Sequence, residues 1–317
     1  MAGMIKPREP DHDLDAVVWG RAGMDLYPLP DGARTKAAET FRADMGGSAG
    51  NIAVALARHG LQVGLVAPVS DDPVGRFVKT QIKKYDLIDL TPDFVAGAAR
   101  TSLALAETRR DANVVIYRNG AADFQMTDQD VAATTRAPAL IVTGTALAQE
   151  PSRSKTLTAM HNADETILDL DYRAYSWANA EEVAATYSAA VDAADIIIGN
   201  DEEFDMLAGG SVGLDRARSI AKKADIVIYK MGEKGAIALQ GETETTVPIF
   251  PVDMLKPFGA GDAFMGGFIA ALRRGKDVEA ATRFGAAAAA IVVSRIGCAS
   301  AMPDTKDVEN FIAERES

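Results

Sequence analysis

Short apolar runs rich in β-branched residues recur along the chain, separated by stretches whose apolar positions repeat with a helical period. The runs, each typical of a strand, are DAVVWG (15–20), QVGLVAPV (62–69), ALIVTG (139–144), TILDL (166–170), DIIIG (195–199) and DIVIYK (225–230). The helical pattern NIAVALARHG ends at Gly60, and PVGRFVKTQIKKY begins with Pro73, as helices commonly end and begin. This alternation predicts an α/β fold with a doubly wound, mostly parallel sheet flanked by helices.

Two segments, 21–45 and 92–125, break this rhythm. They contain strand-like runs without helices between them, notably TSLALAET (101–108) and NVVIYR (113–118). Neither segment is long enough to bury a core alone, so we expect a small β-sheet lid inserted in a single domain that spans 1–317. A β-hairpin packed on the sheet edge, without a gating role, remains the alternative. Beyond the last strand, helices are predicted over 261–274, 277–294 and 304–316.

Polar residues and glycines directly follow several of the predicted strands. They are Asp25, Asp171, Arg173, Asn200, Glu203, Gly232 and Gly235. In an open parallel sheet, ligands bind outside the carboxyl ends of the strands. A single coincidence would carry little weight because loops are polar, but four such strand ends predict a ligand-binding crevice.

The stretch LKPFGAGDAFMGGF (255–268) places Gly259, Ala260 and Gly261 before Asp262 and an apolar helix. A glycine-rich turn that enters a helix leaves several backbone N–H groups unpaired, and together with the helix dipole they favour a phosphate. We expect Asp262, beside those amides, to stay ionised and to act as the weak base that suffices for phosphoryl transfer. The spacing leaves an alternative open, since an Asp at a helix start is also a common cap.

Composition and charge narrow the function classes. The net charge of −12 argues against a nucleic-acid partner, because phosphate backbones require clustered Lys and Arg. No apolar run approaches the ~20 residues that cross a bilayer, and the polar N-terminus MAGMIKPREPDHDLD is not of signal-peptide type. The single Cys298 excludes an intramolecular disulfide and fits a reducing cytoplasm. No P-loop occurs, and Phe264 stands where a dinucleotide fingerprint needs its third glycine, so a dehydrogenase is a poor interpretation.

Two motifs, GGSAGNIAVALARHG (46–60) and KPFGAGDAFMGGF (256–268), resemble the paired signatures of the ribokinase-like, PfkB-type carbohydrate kinases. The resemblance continues in order through GRAGMD (20–25), SDDPVGRF (70–77), NDEEF (200–204) and KMGEKGA (230–236). It implies a doubly wound sheet with a β-lid, and transfer of the γ-phosphate of ATP to a sugar hydroxyl with Mg²⁺ as cofactor. Lid strands in this family often pair between protomers, so a homodimer is a further expectation.

The resemblance also implies roles for the residues at matching positions. Asp262 would be the catalytic base, with the amides of Gly259, Ala260 and Gly261 as the anion hole. The sugar hydroxyls would be bound by Asp25, Gly46, Gly47 and Asn51. For Asn51, a simple helix cap remains the alternative.

On the nucleotide side, the resemblance implies that Asn200 and Glu203 organise Mg²⁺ and phosphate, largely through water. Lys230, Gly232 and Gly235 would lie in the loop along the nucleotide, and the C-terminal helix near 286–294 would wall the adenine. For Glu203, a solvated charge in the first turn of a helix remains the alternative.

Finer features resemble the family members that phosphorylate acid sugars, and imply 5-dehydro-2-deoxygluconate, from inositol breakdown, as the substrate. Arg binds carboxylates in a bidentate manner, so Arg118 from the lid and Arg173 from a strand end are candidates for the sugar carboxylate; surface salt bridging is their alternative. A 2-keto-3-deoxygluconate kinase and a fructokinase- or ribokinase-type enzyme remain open. So do a non-catalytic sugar or nucleotide sensor and a nucleoside kinase.

The chain departs from the wider family before the glycine turn. Most members have Asp-Thr-x there, associated with a bound monovalent cation, whereas Lys256, Pro257 and Phe258 stand here. We hypothesise that the Lys256 ammonium supplies the missing positive charge while Pro257 stiffens the turn. A Lys256 that points into solvent remains the alternative.

Overall fold

The computed structural model describes residues 12–109, 111, 114–209 and 212–316, so most of the polar N-terminus lies outside the described residues. The strands are β1 (Ala16–Trp19), β2 (Gly23–Leu29), β3 (Thr40–Gly46), β4 (Val63–Val66), β5 (Ile88–Asp89), β6 (Leu103–Ala106), β7 (Val114–Tyr117), β8 (Ala139–Thr143), β9 (Glu165–Asp169), β10 (Ile196–Asn200), β11 (Ile226–Lys230), β12 (Ala236–Gln240) and β13 (Thr243–Val247). The α-helices are α1 (Ser48–Arg58), α2 (Pro73–Lys84), α3 (Asp128–Ala133), α4 (Ser152–Asn162), α5 (Ala180–Asp192), α6 (Asp201–Leu207), α7 (Gly213–Ile220), α8 (Ala260–Arg273), α9 (Val278–Val293) and α10 (Thr305–Glu316).

Nine strands form the main sheet in the order β13-β12-β11-β10-β9-β8-β1-β4-β5. Every pair from β5 across to β11 is parallel, and β12 and β13 add antiparallel pairs at one edge. The path of the chain through the main sheet starts at β1, adds β4 and β5 on one side, and later crosses to the other side with β8. The predicted doubly wound, mostly parallel sheet is therefore confirmed, and β1 is where the strand order reverses.

Alternate side chains of each central strand pack on opposite faces of the sheet. Val18 packs with Ile52 and Phe268 in the core formed with α1, α8 and α9. Trp19, one residue on, packs with Tyr187 in the core on the opposite face. Burial on both faces explains why these strands are apolar at nearly every position.

The two interrupting segments together form a separate four-stranded sheet in the order β3-β2-β6-β7. β2 is parallel to β6, and the other two pairs are antiparallel. The predicted lid sheet is confirmed, and the alternative of a hairpin on the main-sheet edge is wrong. Asp44 of β3 anchors the lid, because its carboxylate accepts hydrogen bonds from the N–H groups of Cys298 and Ser300 and from the Ser300 hydroxyl.

The C-terminal helices agree with the sequence pattern. The predicted helices over 261–274, 277–294 and 304–316 are α8, α9 and α10, with bounds that differ by no more than one residue. Among the described residues, none of the helices combines the length and apolarity needed to cross a bilayer. The organisation of 1–317 as a single domain stays a prediction.

Candidate active site

The glycine-rich turn enters α8 at the carboxyl edge of the main sheet. Gly259 is the N-cap of α8 and has a φ of 84°, a left-handed conformation that glycine adopts without strain. Ala260, Gly261 and Asp262 form the first turn of the helix, where backbone N–H groups have no helical acceptor. All four residues are only half-buried, so the turn is open to a ligand.

The side chain of Asp262 does not cap α8. Its Oδ2 instead accepts a hydrogen bond of 2.8 Å from Nδ2 of Asn51. Asp262 keeps some exposure, yet the protein around it removes enough water to raise the pKa of its carboxyl to about 6, with repulsion from Asp171 in the same direction. The Asn51 hydrogen bond opposes that rise. Asp262 is therefore a stronger base than the amides alone would predict, and it remains mostly ionised at neutral pH.

Asn51 lies inside α1 rather than at its start. The N-cap of α1 is Gly47, and the Asn51 N–H donates to the Gly47 carbonyl within the helix. The alternative that Asn51 is a helix cap is therefore wrong. Asn51 is 4% exposed, and its Oδ1 has no hydrogen-bond partner in the described part of the chain. A buried unpaired acceptor is costly, and a ligand hydroxyl would satisfy it.

The Gly46–Gly47 turn packs tightly against the base of the lid. A Cβ on Gly46 would fall 1.9 Å from Oδ1 of Asp25, and one on Gly47 would fall 2.3 Å from the Arg21 carbonyl oxygen. Asp25 is buried, and Oδ2 accepts a hydrogen bond of 3.2 Å from the Tyr27 hydroxyl. Burial raises the pKa of Asp25 to about 6, while nearby Arg21 opposes the rise. The structure thus brings together the four residues expected at the sugar.

Asn200 and Glu203 form a reciprocal cap at the start of α6. Oδ1 of Asn200 accepts from the Glu203 N–H at 2.9 Å, and Oε2 of Glu203 accepts from the Asn200 N–H at 2.7 Å. Glu203 also accepts a bond of 3.2 Å from the Tyr172 N–H through Oε1. Since Glu203 is 5% exposed, the alternative of a solvated charge is wrong. Burial raises the pKa of its carboxyl.

Arg173 is paired with acids of the same strand ends. Its Nη2 lies 2.5 Å from Oδ1 of Asp171, and its Nη1 lies 3.9 Å from Oε1 of Glu203. Asp171, held at a φ of 34°, also accepts a hydrogen bond of 2.6 Å from the Ser48 hydroxyl at the start of α1. Asp171 therefore connects two sides of the crevice; its place at a strand end was predicted from the sequence, but its partners Ser48 and Arg173 were not.

Arg118 follows β7 and is held beneath the lid. Its Nε and Nη2 donate to Oδ2 of Asp123 at 2.8 and 2.5 Å, and its Nη1 donates to the Thr145 carbonyl at 3.0 Å. The guanidinium stacks on Phe124, with its carbon 4.1 Å from the ring centroid. Asp123 is 2% exposed, so this is a buried ion pair and not the surface salt bridge given as the alternative.

Lys230 ends β11 close to the glycine turn, since a Cβ on Gly261 would fall 3.5 Å from its Nζ. Its ammonium therefore adds positive charge beside the unpaired amides. Gly232 and Gly235 lie in the turn that joins β11 to β12, both with positive φ, and a Cβ on Gly235 would meet the Val247 carbonyl at 2.2 Å. The sequence predicted this turn but not the side-chain approach of Lys230.

Lys256 is fully buried behind the same turn. Its Nζ donates hydrogen bonds to the carbonyls of Phe258 at 2.8 Å and of Val292 at 3.2 Å. The alternative of a solvated Lys256 is wrong. Burial lowers the pKa of its ammonium, while Asp262, Asp44 and Asp25 lie close enough to oppose that change.

Asp169 is a further acid of the crevice, and it was not predicted from the sequence. It ends β9, is 4% exposed, and burial raises the pKa of its carboxyl, with repulsion from Asp171, Glu203 and Asp262 in the same direction. Lys230 opposes the rise. The signal was present in the sequence, because Asp169 is a charged residue inside an otherwise apolar strand run.

Comparison with known proteins places the chain among sugar kinases. Residues 13–305 match the pfkB family carbohydrate kinase domain. The 5-dehydro-2-deoxygluconokinase of Photobacterium profundum is 39% identical over 322 residues, covering 96% of this chain and 97% of that protein. The enzyme of the same name from Listeria innocua serovar 6a is 35% identical over 320 residues, covering 96% and 98%.

Solved structures show the same fold. A fructokinase with bound ATP from Xylella fastidiosa matches with a TM-score of 0.83 at 24% identity, covering 95% of this chain and 99% of that chain. A fructokinase from Vibrio cholerae O395, a double mutant in a fructose-, ADP- and potassium-bound form, matches with a TM-score of 0.81 at 25% identity, covering 96% and 99%. With its sheet, lid and glycine turn, the chain belongs to the pfkB family of carbohydrate kinases and is an ATP-dependent sugar phosphotransferase.

Proposed function

We propose that this sugar kinase transfers the γ-phosphate of ATP to a hydroxyl of an acid sugar, 5-dehydro-2-deoxygluconate. The observation that carries the proposal is the position of Asp262, bonded to Asn51 on one side and set in the open glycine turn on the other. The relatives from Photobacterium and Listeria, whose names state this substrate, support the choice of sugar.

In the proposed reaction, Asp262 orients the sugar hydroxyl and accepts its proton as the bond to phosphorus forms. Asn51 fixes the carboxylate by occupying Oδ2. The N–H groups of Gly259, Ala260 and Gly261 and the nearby Lys230 ammonium stabilise the negative charge on the transferred phosphoryl group. Asp25 and the Gly46–Gly47 turn hold the sugar hydroxyls away from the reacting end.

Mg²⁺ fits the side of the crevice opposite Asp262, where water molecules would link the ion to the protein. The described residues contain no group of three or more His, Cys, Asp and Glu side chains arranged to hold a metal directly, and Mg²⁺ in kinases usually keeps several waters and binds phosphate oxygens. The mutual repulsion of Asp169, Asp171 and Glu203 fits a site that receives a cation. Asn200 and Glu203 would hold its waters, and the bound ion would neutralise charge on the ATP phosphates.

Arg118 and Arg173 are the two candidates for binding the sugar carboxylate, and they differ in how far protein groups already occupy them. Three N–H groups of Arg118 are used by Asp123 and Thr145, which leaves one on each terminal nitrogen, the pair suited to a bidentate carboxylate. Arg173 already pairs with Asp171. Of these two, Arg118 is the better candidate for direct binding.

We infer that Lys256 takes the place of a monovalent cation. Its ammonium bonds to the carbonyls of Phe258 and Val292, the type of ligand that a potassium ion would coordinate, directly behind the anion-binding turn. A fixed positive charge there stabilises the turn without an external ion.

We also propose a cytoplasmic homodimer. Val115 and Tyr117 of β7 are 51% and 59% exposed on the lid, an apolar surface that a second lid would cover. A cytoplasmic location fits the use of ATP and the buried free thiol of Cys298.

The test is ADP release with a panel of acceptors: 5-dehydro-2-deoxygluconate, 2-keto-3-deoxygluconate, fructose, ribose and adenosine. We expect the first to give the highest kcat/KM by at least an order of magnitude. A higher value for 2-keto-3-deoxygluconate would change the named sugar while keeping the acid-sugar class. Preference for fructose, ribose or adenosine would refute the acid-sugar assignment, and ligand binding without ADP release would indicate a sensor.

A further inference from the structure

Arg21 is a buried arginine with almost no protein partner. It lies in the short loop between β1 and β2, where the main sheet passes into the lid, and is 7% exposed. Its guanidinium makes one side-chain hydrogen bond, of 3.3 Å from Nη1 to the Ser102 hydroxyl. Across the described residues, no carboxylate oxygen lies within 4.0 Å of that guanidinium.

An arginine keeps its charge in proteins, and burial of an uncompensated charge is strongly unfavourable. The other arginines of the crevice avoid this cost, since Arg118 pairs with Asp123 and Arg173 pairs with Asp171. Arg21 attracts the Asp25 carboxylate, but it only partly offsets the rise of the Asp25 pKa to about 6 that burial causes. Within the described part of the chain, no direct ion pair joins the two groups, and one of the five N–H donors of Arg21 is used, by the Ser102 hydroxyl, so Arg21 retains most of its binding capacity.

The position of Arg21 is fixed by the backbone of the sugar-binding turn. Its carbonyl accepts a hydrogen bond of 3.2 Å from the Gly50 N–H, and lies so close to Gly47 that no side chain fits there. Its guanidinium lies beside Gly23, where a Cβ would fall 3.2 Å from Nη1. The charge is thus held at the base of the lid, on the same side of the crevice as Asp25.

We propose that Arg21 is a specificity-determining residue that binds the carboxylate of the acid sugar, from the lid side of the crevice. The inference rests on the proposed function and extends it, because it assigns the counter-ion of the substrate to a residue outside the expected set. A bidentate carboxylate would supply the charge that Arg21 lacks in the protein. Arg118, which follows β7 of the lid sheet, would then assist.

Arg21→Gln and Arg21→Lys test the proposal, with Arg100→Gln as the matched control. Arg100 precedes β6 and, like Arg21, makes no salt bridge among the described residues; it donates to the carbonyls of Ala98 and Ala99, and it is exposed. For 5-dehydro-2-deoxygluconate we expect Arg21→Gln to raise KM by about 10- to 100-fold, the range for a lost charged hydrogen-bonding pair. We expect kcat and the KM for ATP to stay close to wild type, Arg21→Lys to be intermediate, and Arg100→Gln to have no effect.

Two readouts separate this proposal from the proposed function and from misfolding. The first is calorimetric binding of the acid sugar without nucleotide, which tests Arg21 even if that sugar is not turned over. The second is turnover of fructose by the same variants, because fructose has no carboxylate. Any of three results would overturn the proposal. They are equal losses of activity with the acid sugar and fructose, a fall in kcat without a rise in KM, and unchanged binding of the acid sugar by Arg21→Gln. A selective loss of acid-sugar binding with retained fructose turnover would support it.

Discussion

Nδ2 of Asn51 donates a hydrogen bond of 2.8 Å to Oδ2 of Asp262 and so joins α1 to the first turn of α8, across 211 positions of sequence. The bond leaves Oδ1 of Asp262 without a hydrogen-bond partner among the described residues. Each of the two glycine-containing motifs contributes one residue to this pair. The orientation of the proposed base therefore depends on the packing of α1 against α8.

Asp262→Asn should lower kcat by about 10²- to 10⁴-fold, the usual contribution of a positioned general base. ATP binding should be unchanged, because the amides of the glycine turn remain. Steady-state ADP release and calorimetry with ATP provide the measurements. Asp215→Asn is the control, since Asp215 occupies the first turn of α7 at the surface. A kcat near wild type in Asp262→Asn would exclude Asp262 as the base.

The pH dependence of kcat should report the ionisation of Asp262. Because its pKa is raised to about 6 and the base must be deprotonated, kcat at saturating sugar should fall roughly tenfold per unit below that pH. Asn51→Ala removes a hydrogen bond that lowers this pKa, so the acid limb should move to higher pH. If Asn51→Ala left the acid limb unchanged, the group that titrates in the pH profile would not be Asp262. Saturating sugar is required because Asp25 also has a pKa of about 6.

The wild-type enzyme should show no activation by potassium if Lys256 supplies the positive charge. Lys256→Met should lower both activity and stability, since it leaves the carbonyls of Phe258 and Val292 without their donor; each unsatisfied carbonyl costs about 1–3 kcal/mol. Lys256→Gly should open space for an ion and gain activity on addition of K⁺. The comparison is kcat in potassium against tetramethylammonium salts. Strong activation of the wild type by K⁺ would contradict the assignment.

Asp25→Asn should stabilise the protein at alkaline pH while weakening sugar binding. The folded pKa is raised from 3.8 to about 6, so the stability associated with protonated Asp25 is present at low pH and lost as pH rises through about 6. The difference corresponds to about 2–3 kcal/mol at pH 8. Thermal unfolding of both proteins at pH 8 and pH 4.5 should give a higher Tm for the variant at pH 8, and a clearly smaller difference at pH 4.5.

The control for this substitution is Asp31→Asn, because Asp31 is exposed at the far end of β2. It should leave Tm unchanged at both pH values. If Asp25→Asn were less stable than wild type at pH 8, the carboxylate would be stabilised by its surroundings, contrary to the burial described above.

The strand pattern of the main sheet could be predicted because burial on both faces makes each central strand apolar throughout, as in the run that became β10. The turn at Gly259 could be predicted because glycine adopts a left-handed backbone without strain, and this preference is local. The capping of α6 by Asn200 and Glu203 is local as well, whereas the burial of Glu203 depends on how the elements of the fold pack.

Side-chain partners across the chain could not be predicted in this way. Periodicity says which face of a helix is buried, but not which residue of another element meets it. The bond from Lys256 to the Val292 carbonyl and the pairing of Arg118 with Asp123 both depend on how separate elements pack. The alternatives of solvated or surface-paired side chains at Lys256 and Arg118 were wrong for this reason.

By itself, the sequence determined the α/β architecture, the inserted lid segments and the glycine turn, because each follows from hydrophobic periodicity or local backbone geometry. Only the tertiary structure decided that Asn51 meets Asp262, that Lys256 is buried and that Arg21 has no counter-ion among the residues the structure describes. Hydrogen bonds and charge compensation depend on distances of a few ångströms between residues far apart in sequence, and those distances are set when the helices and the lid pack on the sheet.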